Sequence, residues 1–152
     1  MLGLIVAVVV GASPGSMQEV EPVAASPFSL ETTLAKGPTV LVFWNSWLPG
    51  ANEFVPVVEE VDRAAAEHGW PGAVVVFQDD GDSWVRSIGA AGATLPRVLD
   101  RRGELLRRFK VTRAPTVLVV GRRGEVLDRA GPDAGQVRAL LKALAESTGG
   151  PQ

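Results

Sequence analysis

Two continuous apolar runs, Thr39 to Trp44 (TVLVFW) and Ala73 to Phe77 (AVVVF), flank a stretch of helical period, and this arrangement constrains the fold most. Short runs this rich in β-branched and aromatic residues suit strands covered on both faces. Between them, Phe54, Val58, Val61 and Ala65 recur at helical spacing from Ala51 to His68, with Glu53, Glu59, Glu60 and Glu67 largely off that stripe. The spacing predicts an amphipathic helix ending at Gly69, with Pro56 inside it removing one backbone hydrogen bond. Strand, helix and strand make a β-α-β unit, so the two strands are expected to be parallel.

Further elements extend this unit. Asp79 to Asp82 reads as a polar loop and Ser83 to Ala91 as a short helix. Asp-Arg-Arg-Gly-Glu-Leu-Leu at 100–106 echoes Gly-Arg-Arg-Gly-Glu-Val-Leu at 121–127, read here as two similar polar turns. Thr116 to Val120 and Glu125 to Arg129, joined by Gly121 to Gly124, suit an antiparallel hairpin. Asp133 can cap a last helix whose Val137, Leu140, Leu141 and Leu144 share a stripe. The expected class is α/β: a central mixed sheet with helices on both faces, in the order β-α-β-α-β-β-α. A chain of 152 residues with a 46% apolar share supports one such domain with a packed core.

Ahead of it, Leu2 to Val10 is nearly continuous hydrophobe followed by Gly-Ala-Ser-Pro-Gly, although no Lys or Arg precedes Lys36. Residues 1–13 are read as a signal peptide or anchor remnant, 14–27 as a linker, 28–147 as the domain and 148–152 as a tail. Export or membrane anchoring is the expected location. A start at Met17 would remove the targeting segment and leave the cytoplasm as the alternative.

Cysteine is absent, which removes disulfides, thiolate nucleophiles and thiolate metal sites together. Gly11 to Gly15 matches the G-x-S-x-G string of a hydrolase, but Pro14 lacks the backbone N–H that such an elbow uses as an oxyanion donor. His68 is the only histidine and reads as a partner of its helix dipole. Asp79, Asp80 and Asp82 crowd one loop, yet the twelfth position of a calcium loop would fall on Ala90 or Ala91. Neither a metal nor a cofactor is expected. The formal charge of −2 hides an asymmetry, with 2 basic and 11 acidic residues up to position 85 and 13 and 6 beyond it. Among the basic residues Arg101, Arg102, Arg107, Arg108, Lys110, Arg113, Arg122 and Arg123 only Phe109 interleaves, so nucleic acid is not expected. They read as a solvated face or a contact for an acidic partner. Arg101, Arg102, Arg107, Arg108, Arg122 and Arg123 could alternatively meet an anionic membrane surface.

The element order, with a turn motif after the first strand and a lone proline before the third, resembles the thioredoxin fold. Phe43-Trp44-Asn45-Ser46-Trp47-Leu48-Pro49-Gly50-Ala51 resembles the Phe-Trp-x-x-Trp-Cys-x-x-Cys segment of exported thiol-disulfide oxidoreductases of the TlpA and ResA type. Pro27-Phe28-Ser29-Leu30 resembles their entry strand, Pro56 their helix proline, and Val111-Thr112-Arg113-Ala114-Pro115-Thr116 their cis-proline segment. The resemblance runs from about Ser26 to Leu144. It implies that Leu48 and Ala51 occupy the two cysteine positions, so that no catalytic residue remains. In the family the first thiol gains acidity from a helix N-terminus, where Leu48 now presents methyl groups. The family's glutamate two residues before the helix proline corresponds to Phe54.

What the resemblance leaves is a binding groove. The backbone at Ala114, before Pro115, would pair with an extended peptide beside an apolar patch of Trp47, Leu48 and Pro49, with Gly50 and Thr116 completing the surface. The expected function is a redox-inactive domain that binds a protein or extended peptide there. The alternatives are a member of a thiol-disulfide system acting with a cysteine-bearing partner, a structural domain of a membrane assembly, and a relic groove in which Trp47 merely covers the helix end.

Overall fold

The computed structural model describes residues 20–22, 28–79, 83–89 and 94–149. Strand β2 (Thr39–Trp44) is its centre and is buried at all six positions. Period-two alternation sends Val40, Val42 and Trp44 to one apolar layer and Leu41 and Phe43 to the other. The first layer is closed by α2 (Ala51–His68), α3 (Ser83–Ile88) and α5 (Ala134–Thr148), and the second by α1 (Leu30–Ala35) and α4 (Glu104–Arg108). Each buried Val, Leu or Phe side chain contributes roughly 1.5–3 kcal/mol.

The other strands are β1 (Val20–Pro22), β3 (Gly72–Phe77), β4 (Arg97–Asp100), β5 (Thr116–Val120) and β6 (Val126–Ala130). They form one mixed sheet in the order β1-β4-β3-β2-β5-β6. β3 is parallel to β2 and to β4, as the β-α-β argument requires for the first pair, whereas β5 runs antiparallel to β2 and β6 to β5. The fold is thioredoxin-like.

Four elements were not in the expected order. β1 pairs with β4 from within the stretch read as a linker, and three residues are too few to display a period. Phe28 to Leu30 is no entry strand: the Ser29 hydroxyl accepts the Thr32 N–H at 3.3 Å and caps α1. Pro27 lies outside the described residues. β4 and α4 fill the segment read as a turn, because the polar residues of β4 are buried by pairing. The Asp100 carboxylate, 1% exposed, accepts the N–H groups of Glu104, Leu105 and Leu106 at 2.8, 2.9 and 3.3 Å and so satisfies the start of α4. Arg97 on β4, 3% exposed, donates Nη1 and Nη2 to Asp62 of α2 at 2.8 and 2.6 Å, and Nε to the Ile88 carbonyl at 2.8 Å. This forked pair joins α2, α3 and β4. His68, at the end of α2, stacks on Trp70 with ring centroids 4.6 Å apart, and the Trp70 indole N–H reaches Thr148 on α5.

Removing one partner of a buried ion pair leaves the other uncompensated. Asp62→Ala is therefore expected to lower the unfolding free energy by about 3–5 kcal/mol in urea titration, and the double change Asp62→Leu with Arg97→Met to cost clearly less. On the surface, the forked hydrogen bond from Arg138 of α5 holds the Glu60 carboxyl below its usual range. A depressed carboxyl favours folding above its unfolded pKa, and that contribution is lost as pH falls through the folded one. Glu60→Gln should therefore change stability slightly at neutral pH and not at all below the carboxylate range, read from unfolding midpoints across pH.

Candidate partner-binding site

β2, β3 and β4 all finish at one end of the sheet, and the register Phe43↔Thr116 brings the start of antiparallel β5 to the same end. The turn of residues 45–50 therefore lies beside the loop that enters β5. Asn45, fully buried, braces the turn from within. Its Nδ2 donates to the Phe77 carbonyl at 3.3 Å, and its Oδ1 accepts the Leu48 N–H at 3.1 Å. Buried Asp79 accepts the Ser46 N–H at 2.7 Å.

This bracing leaves Trp47 59% exposed, with its indole N–H donating to the Gln78 carbonyl at 3.0 Å and its ring edge-on to Phe77. Gln78 holds that carbonyl in place at φ +46°, a left-handed conformation costing a non-glycine residue roughly 1–2 kcal/mol. Leu48 is half-buried and packs against both apolar layers, so it plugs the turn more than it widens a patch. Pro49 is exposed, and Gly50 adopts φ +77° as the residue preceding α2. Ala51 is buried, its carbonyl accepting the Trp44 indole N–H at 2.9 Å. Phe54 belongs to the core, and Glu53 is exposed.

Beside the turn the Ala114–Pro115 peptide is cis. Pro115 is buried, Ala114 half-buried, and Thr116 turns inward to donate its hydroxyl to the Ala130 carbonyl at 2.8 Å. Gly131 stands directly behind at φ +120°; a Cβ there would lie 2.9 Å from the Pro115 carbonyl oxygen and 3.0 Å from Thr116 Cα. Only glycine fits that approach. The structure thus gathers Trp47 to Ala51 and Ala114 to Thr116 at one sheet end, with Trp47 and Pro49 as its exposed apolar side chains. Neither Leu48 nor Ala51, at the start of α2, has a group able to act as nucleophile, acid or base.

The six arginines considered for a membrane are strung out. Arg101 and Arg102 follow β4 at the cleft end, whereas Arg122 and Arg123 occupy the β5–β6 hairpin at the opposite end, where Val120 pairs with Thr39. Between them, Arg107 donates to the Arg102 carbonyl at 2.6 Å, and Arg108 pairs with Glu31 at 3.6 Å. Leu2 to Val10, Gly11 to Gly15, Asp80 and Asp82 lie outside the described residues. Among the described residues no acidic, histidine or cysteine cluster could hold a metal ion, and no helix is long and apolar enough to cross a membrane. Sequence reasoning missed Asn45, Gln78 and Gly131. Only Gly131 carried a local signal, as half of a Gly-Pro turn.

The sequence matches the family model described as Redoxin over residues 16–144. No curated protein matches it. Among solved structures it is similar to MTB dsbF in its mixed oxidized and reduced forms, with 24% identity, a TM-score of 0.64, and 82% of this chain and 92% of that chain covered. It is also similar to the pneumococcal exposed lipoprotein thioredoxin Etrx1 of Streptococcus pneumoniae, at 19% identity and a TM-score of 0.62, covering 82% and 96%. A third is a secreted Mycobacterium tuberculosis disulfide oxidoreductase homologous to E. coli DsbE, at 18% identity and a TM-score of 0.60, covering 79% and 93%. At these identities the likeness to each structure is one of fold. The family model spans most of the sequence, and the 152 residues contain no cysteine: the chain belongs to the Redoxin family, as a cysteine-free member.

Proposed function

We propose that this chain is a redox-inactive, thioredoxin-like binding module that holds a protein or extended peptide in the cleft between Trp47 and the Ala114–Pro115 loop. Thiol-disulfide exchange requires a thiolate to attack a disulfide sulfur, and no residue here can supply one. The observation that carries the reading is Trp47, kept exposed by a hydrogen bond whose acceptor sits in a strained backbone. An aromatic fixed in this way loses little freedom on binding, which suits it as an anchor.

Export or anchoring outside the cytoplasm is part of the proposal. Two of the similar structures are described as an exposed lipoprotein and a secreted oxidoreductase. A second reading, in which the domain serves a thiol-disulfide system beside a cysteine-bearing partner, draws on the secreted disulfide oxidoreductase among the structures it resembles.

Insulin reduction with dithiothreitol tests the first half of the proposal. The native chain should match the uncatalysed rate, and the double variant Leu48→Cys with Ala51→Cys should accelerate precipitation. Catalysis by the native chain would overturn redox inactivity. For the second half, peptides selected on the native chain from a display library should lose about tenfold or more in affinity for Trp47→Ser, with the unfolding midpoint unchanged. Undiminished binding would remove the cleft from the proposal.

A further inference from the structure

The two walls of the cleft differ in charge: the turn side carries one exposed carboxylate, Glu53, beside Gly50. On the β5 side, Arg113 is exposed two residues before Pro115, and Lys110 is exposed at φ +52°. Among the described residues neither side chain has a partner. Arg129 of β6, opposite Leu118, donates to the Lys110 and Phe109 carbonyls at 3.4 and 3.3 Å and so braces the loop. Two acids of the β6–α5 segment have other backbone or facial roles. Asp133 is engaged in capping α5 by accepting the Gln136 N–H at 2.9 Å. Asp128 is adjacent to Arg129 on β6, and period-two alternation turns it to the other face of the sheet.

The main chain of the same wall is free to pair. Among the described residues no hydrogen bond engages the backbone N–H or C=O of Arg113 or Ala114, although the β5 ladder begins two residues later. Unpaired backbone next to a strand is what an added strand needs, and alternating side chains on that strand read the surface beside it. A strand laid here would meet an apolar anchor at Trp47 and positive charge at Arg113 and Lys110.

Resting on the cleft reading above, we propose that the occupant is an acidic extended peptide. Its backbone pairs with Arg113 and Ala114, one apolar side chain rests on Trp47, and its carboxylates face Arg113 and Lys110. Opposite charges across such an interface set partner choice and encounter rate more than bulk affinity. The free backbone is what distinguishes a peptide from an anionic bilayer, which needs no hydrogen-bonding edge.

The test uses the full chain and three fluorescein-labelled peptides that share a leucine–phenylalanine centre flanked by glutamates, serines or lysines. Anisotropy should rank the glutamate peptide about tenfold tighter than the serine peptide, with the gap closing as salt rises. Arg113→Glu should reverse the ranking in favour of the lysine peptide, and Trp47→Ser should weaken all three. The Trp47 indole N–H resonance should shift on binding, and an unchanged far-ultraviolet spectrum shows that each variant is folded. Equal binding of the three peptides, all weakened by Trp47→Ser, would overturn the acidic preference and leave the cleft standing. A glutamate peptide unaffected by either variant, or no peptide binding at all, would overturn both. Capture by phosphatidylglycerol vesicles that depends on Arg113, with no peptide bound, would assign this wall to a membrane and overturn the proposal.

Discussion

The antiparallel pairing of β5 with β2 is the constraint on which the rest of the molecule depends. Because Phe43 lies opposite Thr116, the chain that leaves β2 and the chain that enters β5 meet at one end of the sheet, though about seventy residues separate them. That pairing is possible only because β2 is apolar on both faces and can be covered from both sides. The return strand β6 then brings Gly131 behind Pro115, where a side chain of any size would push the loop away from the turn. Each wall of the cleft thus follows from strand register.

The apolar side chains around the start of α2 suit the same architecture. Ala51 is buried in the first turn of α2, and Leu48 closes the gap between the two apolar layers. Neither side chain asks the core to bury a polar atom. Where polar atoms are buried they are paired, and the pairs sit where elements must be held at an angle: Asp62 with Arg97 between α2 and β4, Asp100 at the start of α4, Asn45 and Asp79 beneath the turn. Such groups would cost several kcal/mol if left without partners, so they also exclude alternative packings. Trp84 Nε1 is the exception among the described residues, a buried donor with no acceptor, and the structure offers no account of it.

The candidate site carries its cations on one side and its aromatic, with the carboxylate of Glu53, on the other. Trp47 is set by a carbonyl on the β3 side, and the cations come from the loop before β5, which Arg129 of β6 braces. The contrast between an acidic first half and a basic second half is therefore redistributed by the fold. Interleaving the strands places part of the basic half against the cleft and strings the remainder along α4 to the far hairpin.

Apolar runs, helical stripes and caps were legible because they are local. TVLVFW and AVVVF fixed two parallel strands, the stripe from Phe54 to Ala65 fixed α2, Asp133 marked the start of α5, and the missing cysteines excluded dithiol chemistry. The segments that failed to read as strand or helix were short or polar. β1 has three residues, and β4 carries Arg97 and Asp100, whose burial is allowed only by Asp62 and by the α4 backbone. No local pattern announces such a partner, because the partner is chosen by packing across the chain. The site divides in the same way. Trp47, Leu48 and Pro115 could be picked out from the sequence, whereas which of them is exposed, and what Gln78, Asn45 and Gly131 do to hold them, depends on strand register and on close approach between distant segments. Those are properties only the tertiary structure decides.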